Sequence, residues 1–341
     1  MEHLEKLTEL ISEFIKKAQR EDLYYEEIYS KPDLVHGKNE FMFFIKPEIT
    51  ASSETIHLDK ILDFILTQIA KFGFNIHNIK VLSAQYLEKY NIIAQHYGVI
   101  DKIAFDAIHN MSQSAKEKFK ELYGKSINDV SVLGGAEFLE KYPFFNAYSL
   151  DCLWQNLELK KLAGGTYSEV FKVDKEVMYV LNGFHPIQLK HFTEKGRSIV
   201  VMTLSSDISW KEARSNFIGA TDPNKANPGT LRRTFLDRKV EFGLDEVGQS
   251  YNGVHLSAGP VEALVELRRF NSDFSVENGE KDFSEFSFGK ELLKAFNGKI
   301  GKITDNANVV HLGEEISVFD LTEEMDSDVA IELLKKVVIS D

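Results

Sequence analysis

One short run concentrates the chemistry in this sequence: Asn252-Gly253-Val254-His255-Leu256-Ser257, followed by Ala258-Gly259-Pro260. The pattern predicts a strand that presents one histidine at its end, then a helix running to Phe270. Ser257 suits an N-cap, and Gly259-Pro260 suits a helix start, since proline is pre-set for the first turn and its missing N–H is not needed there. Backbone N–H groups at a helix start attract anions. A neutral imidazole beside them has the chemistry of a nucleophile towards phosphorus. A lone histidine at a strand end is nevertheless more often structural, so the elements around it must decide.

Those elements belong to a chain of 341 residues, 43% hydrophobic, long enough for one large domain with additions or for two. The single cysteine, Cys152, excludes a disulfide framework and a cysteine-based zinc site. The charged start, Met1-Glu2-His3-Leu4-Glu5-Lys6, lacks the apolar core of a signal peptide. No run approaches the roughly 18 apolar residues of a membrane-spanning helix. A cytoplasmic protein with no membrane partner is the expectation. The net charge of −13 argues against general nucleic-acid binding, which needs a basic surface. Residues 271–341 hold 16 Asp/Glu against 7 Lys/Arg, so −9 of that charge sits in the tail, a solvated acidic surface.

In chain order, Leu4, Leu7, Ile11, Phe14, Ile15 and Ala18 recur at helical spacing within residues 1 to about 30. Phe41-Met42-Phe43-Phe44-Ile45 is a buried strand running into Lys46-Pro47, where the lysine is equally a snorkelling surface residue or a phosphate contact. Leu58, Ile61, Leu62, Ile65, Leu66 and Ile69 form the stripe of a helix over 57–72, stopped by Gly73. A strand over 74–82 follows, and 83 to about 125 reads as helical. Gly164-Gly165-Thr166-Tyr167-Ser168 resembles a kinase glycine loop, but Ser168 stands in place of the third glycine and no His-Arg-Asp or Asp-Phe-Gly follows. A hairpin with a glycine turn is expected there. Gly183-Phe184-His185-Pro186 opens a short helix, and 198–204 is a buried strand. Ser209 and Glu212 form a capping box for a helix to about Phe217. Gly219-Ala220-Thr221-Asp222-Pro223 and Asn227-Pro228-Gly229-Thr230-Leu231-Arg232-Arg233 lie in a loop of turn formers, a composition that carries function more often than a core does. The tail predicts a helix at 290–296, strands at 309–312 and 316–321, and a helix at 328–338.

Strand, helix, strand, helical region, strand, helix and strand over 41–270 predict an α+β fold: a ferredoxin-like four-stranded antiparallel sheet with helices on one face. The expected organisation is an N-terminal helical extension over 1–38, a core over 39–270 with an insertion at about 88–178, and an acidic extension over 271–341. In such a sheet the ends of the first and last strands can lie close, so Lys46 and His255 can share a pocket with Thr221 and Arg232.

Five segments in this order resemble the nucleoside diphosphate kinase family. They are Phe44-Ile45-Lys46-Pro47, Gly183-Phe184-His185-Pro186, Gly219-Ala220-Thr221-Asp222-Pro223, Pro228-Gly229-Thr230-Leu231-Arg232, and Asn252-Gly253-Val254-His255-Leu256-Ser257 with Glu266. The resemblance implies ping-pong transfer of the γ-phosphate of ATP or another nucleoside triphosphate to a nucleoside diphosphate through a phosphohistidine at His255. It implies Glu266 as the carboxylate orienting the imidazole, with Ser257 hydrogen-bonding near it. Lys46 would stabilise the transferring phosphoryl group, Arg214, Thr221, Arg232 and Asn252 would bind the nucleotide, and Phe184 would stack on the base. Mg2+ would be held mainly by the nucleotide phosphates. Departures are visible: the family's usual tyrosine aligns with Glu176, and its second phosphate-binding arginine falls on Ser215, one residue from Arg214. The connection from Arg232 to Asn252 is longer than the family's. Family members commonly build hexamers from dimers, and the insertions stand where they could block those interfaces, so a homo-oligomer is one option. A catalytically weak nucleotide-binding regulatory or scaffold protein is the alternative.

Overall fold

The computed structural model describes residues 2–31, 34 and 36–337, which fall into two compact units: those up to 90 together with those from 195 on, and 91–194. Both mix helices with largely antiparallel sheet.

The first unit is built on a five-stranded sheet. Its strands are β1 (Tyr25–Ser30), β2 (Asn39–Ile45), β3 (Asn75–Ser83), β4 (Ser198–Ser206) and β5 (Val254–Leu256), in the order β1-β3-β4-β2-β5 with every pair antiparallel. β1 lies where the sequence pattern predicts only helix. The helix there, α1 (Glu2–Ala18), ends well before it. The strand is half-exposed, and its place is fixed by distant partners: Lys80 Nζ reaches Glu27 at 2.6 Å, and the Tyr25 hydroxyl donates to the Asn271 carbonyl at 2.6 Å. Local spacing carries no trace of either.

The continuous apolar run of β2 is buried on both faces. Phe41, Phe43 and Ile45 meet α1 and α2 (Leu58–Lys71), together with Ala213, Phe217 and Ile218. α2 ends in the left-handed Gly73 (φ +68°), the conformation a Cβ would disfavour. The other face is covered too, contrary to the expected one-sided arrangement: α3 (Pro260–Asn271) packs there, with Phe270 5.5 Å from Phe44. A strand with no polar residue between Phe41 and Ile45 demands cover on both sides.

The tail belongs to this unit, with helices at Ser287–Ala295, Val318–Thr322 and Ser327–Val337 and a hairpin of Asn308–His311 with Glu314–Ser317. The predicted strand over 316–321 stops early because Ser317 accepts the Asp320 amide and caps a helix instead.

The second unit carries a four-stranded sheet in which Ser131–Gly134 runs parallel to Glu176–Leu181, and Thr166–Val173 pairs antiparallel with Glu176–Leu181 and Lys160–Ala163. The Gly164-Gly165 segment is the turn of that hairpin, with Gly165 at φ +65°. The region read as one helical stretch from 83 is several short helices, among them Ala84–Lys89, Gly98–Phe105 and Gln113–Tyr123. Glu169 is buried on the Phe171 side of this sheet, and neither of its carboxylate oxygens meets a hydrogen-bond partner. Burial pushes its carboxyl up to about 7. The folded state therefore holds a proton that the unfolded chain releases near its ordinary value. Stability falls as pH rises from about 4.5 to about 7 and stays lowered above that. Glu169→Met is expected to stabilise the protein by roughly 2 kcal/mol at pH 8. Denaturant midpoints at pH 8 and pH 5 check this, and an equal gain at both would refute the titration argument.

Candidate functional site

The register of β2 with β5 sets the geometry. Phe44 faces His255 and Ile45 faces Val254, so Lys46, the residue after β2, meets the chain just before His255. The Lys46 amide donates to the Gly253 carbonyl at 2.9 Å, and the Gly253 amide donates to Glu48 Oε1 at 2.8 Å. Gly253 holds φ +80° with Phe235 where a Cβ would stand, so the approach requires glycine.

Alternation along β5 sends Val254 and Leu256 into the core with α1 and α2 and turns His255 to the opposite face, towards α3. Its ring stacks on Phe44 with centroids 4.6 Å apart. His255 Nε2 lies 3.1 and 3.2 Å from the two oxygens of Glu266, which projects from the second turn of α3 and is 2% exposed. The Ser257 hydroxyl donates to the same carboxylate and sits against the Met42 carbonyl. Ser257 is thus no helix cap: Gly259 takes the N-cap position with Pro260 at the first turn, and the serine hydroxyl serves Glu266. With Nε2–H donated to a carboxylate, the imidazole lone pair is on Nδ1.

Two carboxylates missed in the sequence support this arrangement. Glu48 acts through the Gly253 amide. Glu262, one helical turn before Glu266, accepts the Ala258 amide at 2.7 Å and so fixes the turn after Ser257. Burial, then the charge of Glu266, pushes the Glu262 carboxyl up, while the Ala258 amide and Arg214 pull it down. The upward direction prevails. Both were legible only by spacing, two residues from Lys46 and four from Glu266, a signal too common to use.

The cations gather near the same strand ends. Lys46 is 8% exposed, and burial lowers its ammonium to about 8, with Glu48 opposing the shift and Arg232 adding to it. Arg232, on the helix Leu231–Asp237 capped by Thr230, donates to the carbonyls of Gly219 (3.0 Å) and Val254 (3.1 Å). It clasps the 219–230 loop to β5. Asn252 donates to the Thr221 carbonyl at 3.0 Å and the Gln249 carbonyl at 3.1 Å, while its buried Oδ1 meets no hydrogen-bond partner.

The direction in which Arg214 points has a physical origin. Ser209 caps a helix that continues, over Ala213–Ile218, as a π-helix, closed by the Gly219 amide on the Arg214 carbonyl at 3.1 Å. A π-turn takes in one extra residue and rotates the following side chains. Arg214 faces β5, where its Nη1 donates to the Leu256 carbonyl at 3.2 Å, whereas the Ser215 hydroxyl turns back to Lys211. Thr221, exposed, lines a cavity of about 230 Å³ with Arg214, Gly219, Ala220 and Asn227.

Of the residues singled out in the sequence, Lys46, Arg214, Thr221, Arg232, Asn252, His255, Ser257 and Glu266 lie in the first unit. Phe184 lies in the second, its ring 5.8 Å from Trp154 and 5.9 Å from Tyr167 within a local apolar cluster. Among the described residues no helix is long and apolar enough to cross a membrane.

No protein-family model matches the chain, and no curated protein matches it. Among solved structures it is similar to an NDP kinase from Pyrobaculum aerophilum, at 18% identity and a TM-score of 0.32, over 70% of this chain and 97% of that one.

Proposed function

We propose that this protein is a nucleoside diphosphate kinase, with β2, β3, β4 and β5 as a ferredoxin-like core to which β1 is added. The observation that carries the reading is the His255–Glu266–Ser257 array: a strand-end imidazole held at Nε2 by a buried carboxylate, 3.1 Å away, that a serine also engages.

In the proposed reaction the Nδ1 lone pair of His255 attacks the γ-phosphorus of a nucleoside triphosphate. The N–P bond forms as the bond from phosphorus to the β,γ-bridging oxygen breaks, and the nucleoside diphosphate leaves with that electron pair. Glu266 balances the positive charge the ring acquires. A terminal β-phosphate oxygen of a second nucleoside diphosphate then attacks phosphorus, and the N–P electrons return to Nδ1. Lys46 stabilises charge on the equatorial oxygens, and Arg214, Arg232 and Thr221 bind the phosphates. The unpartnered Asn252 Oδ1 suits a donor on the ligand, such as a sugar hydroxyl.

The carboxylates nearest the histidine do not form an oxygen cage: Glu266 is engaged with His255 and Ser257, Glu48 with Gly253, and Glu262 with Ala258. Mg2+ therefore fits as an ion arriving on the nucleotide phosphates, where it would neutralise their charge.

Incubation with γ-labelled ATP and magnesium is expected to give acid-labile, base-stable label on the protein, transferable to a nucleoside diphosphate. His255→Ala is expected to abolish it. A folded wild-type chain that takes no label would overturn the proposal.

A further inference from the structure

The tail turn 322–326 crosses the site described above. The Glu324 amide donates to the carbonyl of Ala258, three residues after His255, at 2.9 Å. The Thr322 carbonyl packs so closely on Gly259 that a Cβ there would stand 2.5 Å from it. On its far side the turn is pinned by Asp326, which accepts the Trp210 amide (3.0 Å), Asn39 Nδ2 (3.1 Å) and Lys38 Nζ (2.9 Å). Glu324 itself holds φ +56°, a left-handed conformation uncommon outside glycine and asparagine, which surrounding contacts must maintain.

Held this way, the turn aims two carboxylates at one guanidinium. Arg214 Nη2 lies 3.5 Å from Glu323 and Nε lies 4.0 Å from Glu324. Nη1 is engaged by the Leu256 carbonyl. Nε and Nη2 form the edge of the fork that a phosphate grips with two oxygens. Glu324 also lines the cavity that holds Thr221. We infer that the turn 322–326 is an autoinhibitory strap, whose Glu323 and Glu324 carboxylates occupy the phosphate-binding edge of Arg214 and must withdraw for a nucleotide to bind fully. The inference rests on the phosphate role proposed for Arg214. Both ion pairs are longer than a good hydrogen bond and partly exposed, so the strap is displaceable by the greater charge of a di- or triphosphate.

Equilibrium binding of magnesium–ADP to the full-length protein tests it. Glu323→Gln/Glu324→Gln is expected to bind about three- to tenfold more tightly than wild type, from the typical strength of two exposed ion pairs. The gain is expected to vanish when Arg214→Ala is added. Glu314→Gln/Glu315→Gln, which removes the same charge from an exposed hairpin, is expected to change nothing. Thermal melts confirm that each variant folds. If His255 takes label normally but the Glu323/Glu324 variant binds no more tightly, the strap is wrong and the kinase reading stands. If wild type neither takes label nor binds ADP, both fall.

Discussion

Glu266→Gln is expected to slow phosphohistidine formation by about two to four orders of magnitude, with His255 still in place. The glutamine fills the same volume and can accept one hydrogen bond. It cannot supply the negative charge that balances the ring as N–P bonding develops, and its NH2 group faces either the imidazole or the Ser257 hydroxyl. Against Nε2–H it sets donor to donor, and against Ser257 it forces the hydroxyl to turn its proton away. Removing a charged hydrogen-bond acceptor from a site buried to 2% exposure leaves little water to substitute for it. Ser257→Ala, which deletes one hydrogen bond to that carboxylate, is expected to cost about ten- to a hundredfold. Single-turnover labelling measures both. A glutamine variant within a few-fold of wild type would show that Glu266 merely fills space.

Lys46→Met should separate stability from activity. The buried ammonium has its ordinary value of 10.5 lowered to about 8, chiefly by burial, so the folded state disfavours the proton that the unfolded state keeps. Below about pH 8 both states carry the charge, and the folded state bears the full penalty. Between about 8 and 10.5 the folded lysine sheds its proton first, so stability rises with pH and the penalty disappears. At pH 7 the methionine variant, with a stem of similar shape and no charge, is expected to be up to about 3 kcal/mol more stable than wild type. That advantage should fade by about pH 10.5. Phosphoryl transfer should drop about a hundred- to a thousandfold at pH 7 for loss of the fixed charge. Wild-type transfer should itself decline as pH passes about 8. Urea denaturation at pH 7 and pH 10.5, beside transfer rates, reads both. A methionine variant less stable at pH 7 would mean that Glu48 outweighs the burial penalty.

Both predictions rest on a histidine that its own spacing marked weakly and that the ordered segments around it singled out. What the sequence determined is whatever depends on near neighbours. The run Phe41–Ile45, five consecutive large apolar residues, is legible as a buried strand, although the cover on its second face came from α3, far along the chain. The stripe Ile61-Leu62-Ile65-Leu66-Ile69 with Gly73 after it is legible as a helix. The turn chemistry at Gly164-Gly165 and Gly259-Pro260 likewise acts over a few residues, which is why the hairpin and the helix start were legible.

Tertiary structure decided what depends on partners far along the chain. Tyr25–Ser30 became a strand because β3 offered an edge and Lys80 a counter-charge. Ser257 left its expected capping place because a carboxylate nine residues on needed its hydroxyl. The direction of Arg214 was set by a π-turn, whose extra residue alters no periodicity that a sequence displays. The acidic tail, solvated by composition, lays Glu323 and Glu324 on that arginine across more than a hundred residues of chain. Backbone preference and apolar spacing act locally and are written in the order of residues. Ion pairs and hydrogen bonds between remote segments exist only once the sheet has brought those segments together, and the candidate site is made almost wholly of the latter.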